Sequence, residues 1–253
     1  MSATPRDLRL SVVVPVRNEA GNIAALVAEI GAACSDLAPF EVIYVDDGSG
    51  DGTAAALAAA QAGRPWLRVL HHARVGGQSA AVRSGVTAAR SAIIATLDGD
   101  GQNDPAFIPA LFAALVEGGP GAGLAQGQRV GRKDGWLKSL QSRIANGVRG
   151  RILKDATRDT GCGLKVFRRD VYLVLPYFDA LHRFMPALVV REGLSVVLRD
   201  VVDRPRFTGR SNYGLFDRLW VGLLDLAGVW WLIRRRRPAP AVAETSPTVS
   251  PPC

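Results

Sequence analysis

Oxygen-bearing side chains stand at every second position in the stretch ATLDGDGQNDP (residues 95–105): Asp98, Asp100, Gln102 and Asp104. The stretch follows directly on the apolar run AIIATL, which has the character of a buried strand. In an extended chain residues i and i+2 project to the same side. Asp98, Asp100 and Gln102 are therefore expected to share a face if the strand conformation persists. Three oxygen donors on one face suit a hard divalent cation such as Mg²⁺ or Mn²⁺. Such an ion keeps few protein ligands and takes substrate phosphates at its other positions. A glycine-rich turn carrying solvated acids accounts for the same letters, and this stretch alone leaves both readings open. A calcium EF-hand loop fits poorly, because its sixth position would be Asn103 instead of Gly and its twelfth Pro109 instead of Glu.

A second acidic stretch, VDDGSGDGT (45–53), offers paired carboxylates that can accept hydrogen bonds from a nucleobase and a ribose. The same residues are ordinary turn formers, and Asp51 with Thr53 can cap a following helix.

Both acidic stretches close short apolar runs. LSVVVPV (10–16), FEVIYVDD (40–47), LRVLHH (67–72) and AIIATLD (92–98) read as strands. Each precedes an Ala-rich helical stretch, with Asn18 expected near the cap of the first. This alternation predicts an α/β fold: a mostly parallel sheet covered on both faces, with ligands bound beyond the carboxyl ends of the strands. After residue 120 the pattern loosens. AGLAQGQR is a strand candidate, 135–153 an Arg-studded helix, CGLKVFRRDV a strand then a helix, and LSVVLRDVV a late strand.

The chain of 253 residues carries 31 Lys and Arg against 23 Asp and Glu, a net charge of +8, which points to an anionic partner. Cys34, Cys162 and Cys253 have neither disulfide-framework nor zinc spacing, and MSATPRDLRL has no apolar signal-peptide core. A cytoplasmic protein, or one on the inner face of a membrane, is expected. The Arg residues cluster beside Trp and Leu, not on a basic face with stacking aromatics, so nucleic acid is not the expected partner.

Taken in order and spacing, VVVPVRNEAGNI, VDDGSGDGT and LDGDGQNDP resemble the family 2 glycosyltransferases of the GT-A fold. Within that family the polyprenyl-phosphate sugar transferases, such as dolichyl-phosphate mannose synthases, are the most similar group. GQRVGRKDGWLKSLQSRIAN, DTGCGLKVFRRDV, HRFMPAL and RPRFTGRSNYG agree, so that the resemblance runs over about residues 9–237. It implies transfer of a sugar from a GDP- or UDP-sugar to a polyprenyl phosphate, metal-dependent and inverting. By the same resemblance Pro15, Asn18, Glu19, Asp46 and Asp47 lie along the nucleotide. Asp98, Asp100 and Gln102 hold Mg²⁺ or Mn²⁺ on the diphosphate. Arg129 and Arg132 face the acceptor phosphate, and Arg206, Arg210 and Ser211 form a loop closing over the site. Asn212 departs from the family's pattern, standing where a Lys usually follows the Ser.

The implied chemistry needs no strong base. A lipid phosphate with a second pKa of about 6 is already largely dianionic at neutral pH, so His71, His72 and His182, which show no evident partner, are expected to be structural. Transfer to a saccharide hydroxyl would want a base, and Asp159 is the one candidate in the later half. A basic membrane- or nucleic-acid-binding protein without catalysis is the alternative of a different class.

GLFDRLWVGLLDLAGVWWLI followed by RRRR (234–237) reads as an amphipathic helix lying in a membrane interface, with Trp and Arg as anchors. A core helix explains its apolar face but not the Arg run. The expected organisation is a glycosyltransferase domain over 1–213, this helix over 214–237, and a Pro/Ala-rich disordered tail over 238–253.

Overall fold

A computed structural model describes residues 8–130, 150, 152–153, 157, 159–204 and 215–237, with the side chains of the last segment described from Gly222 onward. The first four apolar runs form β1 (Leu10–Val16), β2 (Phe40–Asp46), β3 (Leu67–His71) and β4 (Ile93–Thr96). They lead into α1 (Ile23–Ala33), α2 (Thr53–Gln61), α3 (Gln78–Ala88) and α4 (Ile108–Glu117). The later half contributes β5 (Ala122–Arg129), β6 (Lys165–Arg168), α5 (Arg169–Val174), α6 (Leu181–Arg191), β7 (Ser195–Val201) and α7 (Leu215–Arg235).

The strands form one sheet in the order β3-β2-β1-β4-β6-β5-β7. β1 pairs in parallel with β2 and β4, β2 with β3, and β5 with β7. β6 alone runs the other way, antiparallel to both β4 and β5. Its register sets Lys165, the first residue of β6, opposite Thr96, the last of β4. A reversed strand has its beginning where its neighbours have their ends. The loop DTGCG (159–163) is thereby delivered to the edge of the sheet that carries both acidic stretches.

β1 explains the continuous apolar runs. Val12 and Val14 pack with Ile23, Leu26 and Tyr44 on one face, while Val13 packs with Ile43, Val86 and Ile94 on the other. A strand covered on both sides has no polar face to alternate with. The helix over HRFMPAL was not foreseen as an element. Its buried Leu181, Phe184, Met185 and Leu188 complete the second of these layers.

α7 combines the two readings of its sequence. Val229 is buried in the second layer, with Leu226 and Ile233 packed against it, as in a core helix. Leu223, Leu224, Trp230 and Trp231 point outward and are exposed. Among the described residues no helix is long and apolar enough to cross a membrane. The Arg run is also divided. Arg234 lies over the Trp230 ring at 4.6 Å and Arg236 donates to the Glu192 carbonyl at 3.1 Å, while Arg235 and Arg237 are exposed.

The first helix begins at Ile23, behind Asn22, so Asn18 is not its cap. Most of the helix expected over 135–153 and the whole tail 238–253 fall outside the described residues.

Gly85 of α3 rests on β1 so closely that a Cβ there would stand 2.4 Å from Val13 Cγ1 and 3.2 Å from Val45 Cγ2. Gly85→Ala is expected to destabilise the protein by about 1–3 kcal/mol through overpacking, read as a lower urea midpoint with an unchanged slope.

Candidate functional site

The carboxyl ends of β1 and β4 meet the DTGCG loop around a cavity of about 180 Å³, lined by Pro15, Gln78, Asp98, Lys165, His182 and Arg183 among others. The strand conformation does not persist past Thr96, so Asp98, Asp100 and Gln102 do not share a face as i, i+2 neighbours of a strand. A turn through Gly101, at φ +75°, brings them together instead. The Asp98 N–H donates to Asn103 Oδ1 at 3.0 Å, and the Gln102 N–H to Asp100 Oδ1 at 3.0 Å. Gln102 therefore meets Asp100 through its backbone.

Asp98 is held where charge is costly. Burial pushes its pKa up to about 6, and the neighbouring charge of Asp100 adds to the rise. Lys165 and Arg129 pull it back, while Asp203 adds a further repulsion. Asp100 is itself buried. Two carboxylates brought together out of water are the condition that a divalent cation relieves. Among the described residues no three His, Cys, Asp or Glu side chains gather as a metal cage. That donor set fits an ion of the Mg²⁺ class, which takes one or two carboxylates and completes its shell with water and substrate phosphate. Gly163 leaves the room that Asp98 occupies, since a Cβ there would lie 2.4 Å from Asp98 Oδ2.

The second acidic stretch sews the neighbouring loops together. Asn18, at φ 57°, receives the Gly50 N–H on its side-chain oxygen at 2.8 Å and gives its own N–H to Ser49 Oγ at 2.9 Å. The Glu19 N–H donates to Thr53 Oγ1 at 2.9 Å, and Asp51 accepts the Thr53 N–H at 2.9 Å. Asp46 accepts from the Ser49 N–H at 3.0 Å and meets His71 Nδ1 at 3.2 Å. Asp47 is buried; burial opposes its ionisation, but the Gly76 N–H, His72 and the Gly77 N–H outweigh that and hold its pKa below the usual range. The histidines thus do have partners. His72 bridges Asp47 and Ser84, and His182 Nδ1 meets Ser79 Oγ at 2.9 Å.

Arg129 reaches this edge of the sheet, but not as a free cation for an acceptor phosphate. Its Nε and Nη2 donate to the two oxygens of Asp159 at 2.5 and 2.8 Å, and Nη1 to Asp203 Oδ2 at 3.2 Å. Each of its three nitrogens already serves a carboxylate. Burial works against ionisation of Asp159, yet Arg129 holds its pKa below the ordinary carboxylate range, which makes it a weaker base than an unpaired carboxylate. Arg132, Arg206, Arg210, Ser211 and Asn212 lie outside the described residues.

Gln78, Asn103, Lys165 and Asp203 join the site without having been singled out, and His182, expected to be structural, lines its cavity. Gln78 opens the helix after the third strand, a position at the binding edge of any such sheet. Lys165 and His182 lie within motifs that carried the family resemblance. Asn103 and Asp203 are 100 positions apart and joined by a 3.2 Å hydrogen bond that no local pattern announces.

The fold and the acidic edge define a GT-A-type α/β protein. A family model described as glycosyl transferase family 2 matches residues 11–175, and the chain belongs to that family. It is 37% identical over 235 residues to the dodecaprenyl-phosphate galacturonate synthase of Rhizobium johnstonii, covering 90% of this chain and 68% of that protein. It is 34% identical to the undecaprenyl-phosphate 4-deoxy-4-formamido-L-arabinose transferase of Aeromonas hydrophila, over 83% of this chain and 64% of the relative. The chain thus spans roughly two thirds of the length of these curated relatives. Glucosyl-3-phosphoglycerate synthase from Mycobacterium tuberculosis, solved with Mn²⁺, uridine diphosphate and glucosyl-3-phosphoglycerate, shares the fold. It has a TM-score of 0.67 at 18% identity, over 90% of this chain and 80% of that one. Mannosyl-3-phosphoglycerate synthase from Rubrobacter xylanophilus does so with a TM-score of 0.66 at 15% identity, over 93% and 79%.

His182 supplies a test of the cavity wall. Burial, then the charges of Lys165 and Arg183, depress its pKa to about 3, against about 6.5 for an unperturbed His. Stability from this group is fully present above pH 6.5 and is lost as pH falls toward 3, because the unfolded chain takes the proton first. The stability difference between the wild type and His182→Gln, taken from paired urea melts, should shift against the wild type by about 1.4 kcal/mol per pH unit from pH 6.5 to 4.5; the opposite dependence of Asp98, whose raised pKa favours the folded state as pH falls, cancels in that difference.

Proposed function

We propose that the protein transfers a sugar from a nucleotide diphosphate sugar, GDP- or UDP-linked, to a polyprenyl phosphate. The observation that carries this reading is the carboxylate pair of buried Asp100 and half-buried Asp98 at the carboxyl edge of the sheet, in a chain whose curated relatives act on polyprenyl phosphates. Asp98 and Asp100, with the Gln102 N–H bracing Asp100, would hold a Mg²⁺ or Mn²⁺ ion, which would supply charge neutralisation for the departing diphosphate.

The chain's own residues do the rest. Pro15, Asn18, Glu19 and Asp46 line the nucleotide's approach. Arg206 and Arg210, with Ser211, bring positive charge over the diphosphate, and Arg132 receives the acceptor phosphate. An oxygen of that phosphate forms the new bond to the anomeric carbon. The bond to the diphosphate breaks with its electron pair, inverting the centre. No proton has to leave the nucleophile. Asp159, tied to Arg129, is therefore not needed as a base, and the same ion pair counts against a sugar-hydroxyl acceptor.

Acceptor and enzyme meet at a lipid surface in this reading. The outward Leu223, Leu224, Trp230 and Trp231 enter the interface, and Arg235 and Arg237 meet anionic headgroups. The buried unpaired thiols of Cys34 and Cys162 suit the reducing, inner face of the membrane.

Incubation with a panel of nucleotide sugars, polyprenyl phosphate and Mg²⁺ or Mn²⁺, followed by mass spectrometry of the lipid, should reveal a glycosylated lipid phosphate. Excess chelator should stop its formation. Asp100→Asn should lower turnover on the order of a hundredfold or more; a fully active Asp100→Asn protein removes the metal assignment. A Leu224→Ser, Trp231→Ser variant should lose cosedimentation with anionic liposomes while keeping its melting temperature, since neither side chain is packed. Unchanged sedimentation would reject the interfacial helix.

A further inference from the structure

Asp47 stands in the acidic stretch after β2, and its carboxylate makes three hydrogen bonds inside the protein. Oδ1 accepts the Gly76 N–H at 2.8 Å and meets His72 Nδ1 at 2.7 Å, and Oδ2 accepts the Gly77 N–H at 2.8 Å. His72 is itself held from behind, its Nε2 lying 2.9 Å from Ser84 Oγ on α3. With Nδ1 donating to the carboxylate, the neutral ring accepts from the Ser84 hydroxyl at Nε2.

The backbone gripped in this way is one that only glycine adopts without strain. Gly77 sits at φ 89°, ψ 164°, a region closed to residues with a Cβ. A Cβ on Gly76 would lie 3.1 Å from Ala80 Cβ. The next residue is Gln78, the first of α3, and its Nε2 donates to Asp98 Oδ1 at 2.7 Å. A continuous chain therefore runs from Ser84 and His72 through Asp47 and the Gly76–Gly77 backbone to the Gln78 amide and Asp98.

We propose that Asp47 is a positioning residue for Asp98: it latches the loop at Gly76 and Gly77, and the latched loop aims the Gln78 amide at the carboxylate that faces the metal. This rests on the reading of Asp98 and Asp100 as the metal-holding pair. Gln78 donates to one named oxygen of Asp98, which favours the ionised form and fixes the carboxylate's rotation. Groups that orient a metal ligand in this way typically change metal affinity 10–100-fold when removed. Asp47 then acts on the metal site through the hydrogen bonds both its oxygens make within its own chain.

The test measures Mn²⁺ binding to the full chain by electron paramagnetic resonance, with saturating UDP or GDP, and amide exchange in the metal-free protein. Gln78→Ala and Asp47→Asn should each weaken Mn²⁺ about tenfold or more. Because Asp47 acts through Gln78, the double variant should be no weaker than the weaker single variant, within about twofold. Asp47→Asn should also speed amide exchange at Gly76 and Gly77, while Gln78→Ala leaves it slow. If Asp47→Asn does not fold, Gly77→Ala breaks the latch from the other side, with the same loss of Mn²⁺ expected. Multiplying losses in the double variant overturn the proposal, as does wild-type Mn²⁺ affinity in Gln78→Ala or unchanged exchange in Asp47→Asn. Wild-type Mn²⁺ affinity in Asp100→Asn overturns the metal reading instead, and the exchange arm then decides the latch by itself.

Discussion

The fold buries Asp100, half-buries Asp98 and sets the two carboxylates against each other. Neither alone would be unusual, but together they create a local excess of negative charge that the protein only partly offsets with Lys165 and Arg129. The neighbouring elements serve this arrangement. β4 ends just before it, the Gly101 turn folds Asp100 back beneath Gln102, and Gly163 omits a side chain so that Asp98 fits. Asn103 locks the loop from below through Asp98 and Asp203.

The reversed strand β6 makes this possible. In an all-parallel sheet the residues preceding a strand lie at the opposite edge from the ligand site. Turning β6 around sends Gly161, Cys162 and Gly163 to the acidic edge, with Lys165 in register against Thr96. Lys165 is buried and its ammonium donates to the Cys162 carbonyl. Burial lowers its pKa, opposed by Asp98 among other groups. A buried cation is tolerated here because buried anions stand beside it.

Two different uses of charge are visible at the same edge. Arg129, Asp159 and Asp203 satisfy one another and stiffen the site. Asp98 is raised in pKa by burial and by the neighbouring Asp100, which Lys165 and Arg129 counter only in part. A planar guanidinium reaches Asp159 and Asp203 at once, so those two carboxylates are held as ion pairs.

Much of this was legible in the letters. The alternation of apolar runs with Ala-rich stretches determined the strands, the helices and their mostly parallel pairing, because burial on both faces demands uninterrupted Val, Ile and Leu. The acidic stretches 45–53 and 95–105 marked one edge of the sheet, because both close strands that run in the same direction. Tertiary structure decided the roles within those stretches. A strand-like i, i+2 rule put Asp98, Asp100 and Gln102 on one face, but the glycines released the chain into a turn and Gln102 took part through its backbone. Asp47, expected along the nucleotide, also holds the Gly76 and Gly77 N–H groups and His72. Arg129 looked like a free cation and proved to be paired twice. A sequence states which groups can ionise or donate. Which of them are already satisfied depends on contacts such as Asn103 with Asp203, between residues that only the folded chain brings together.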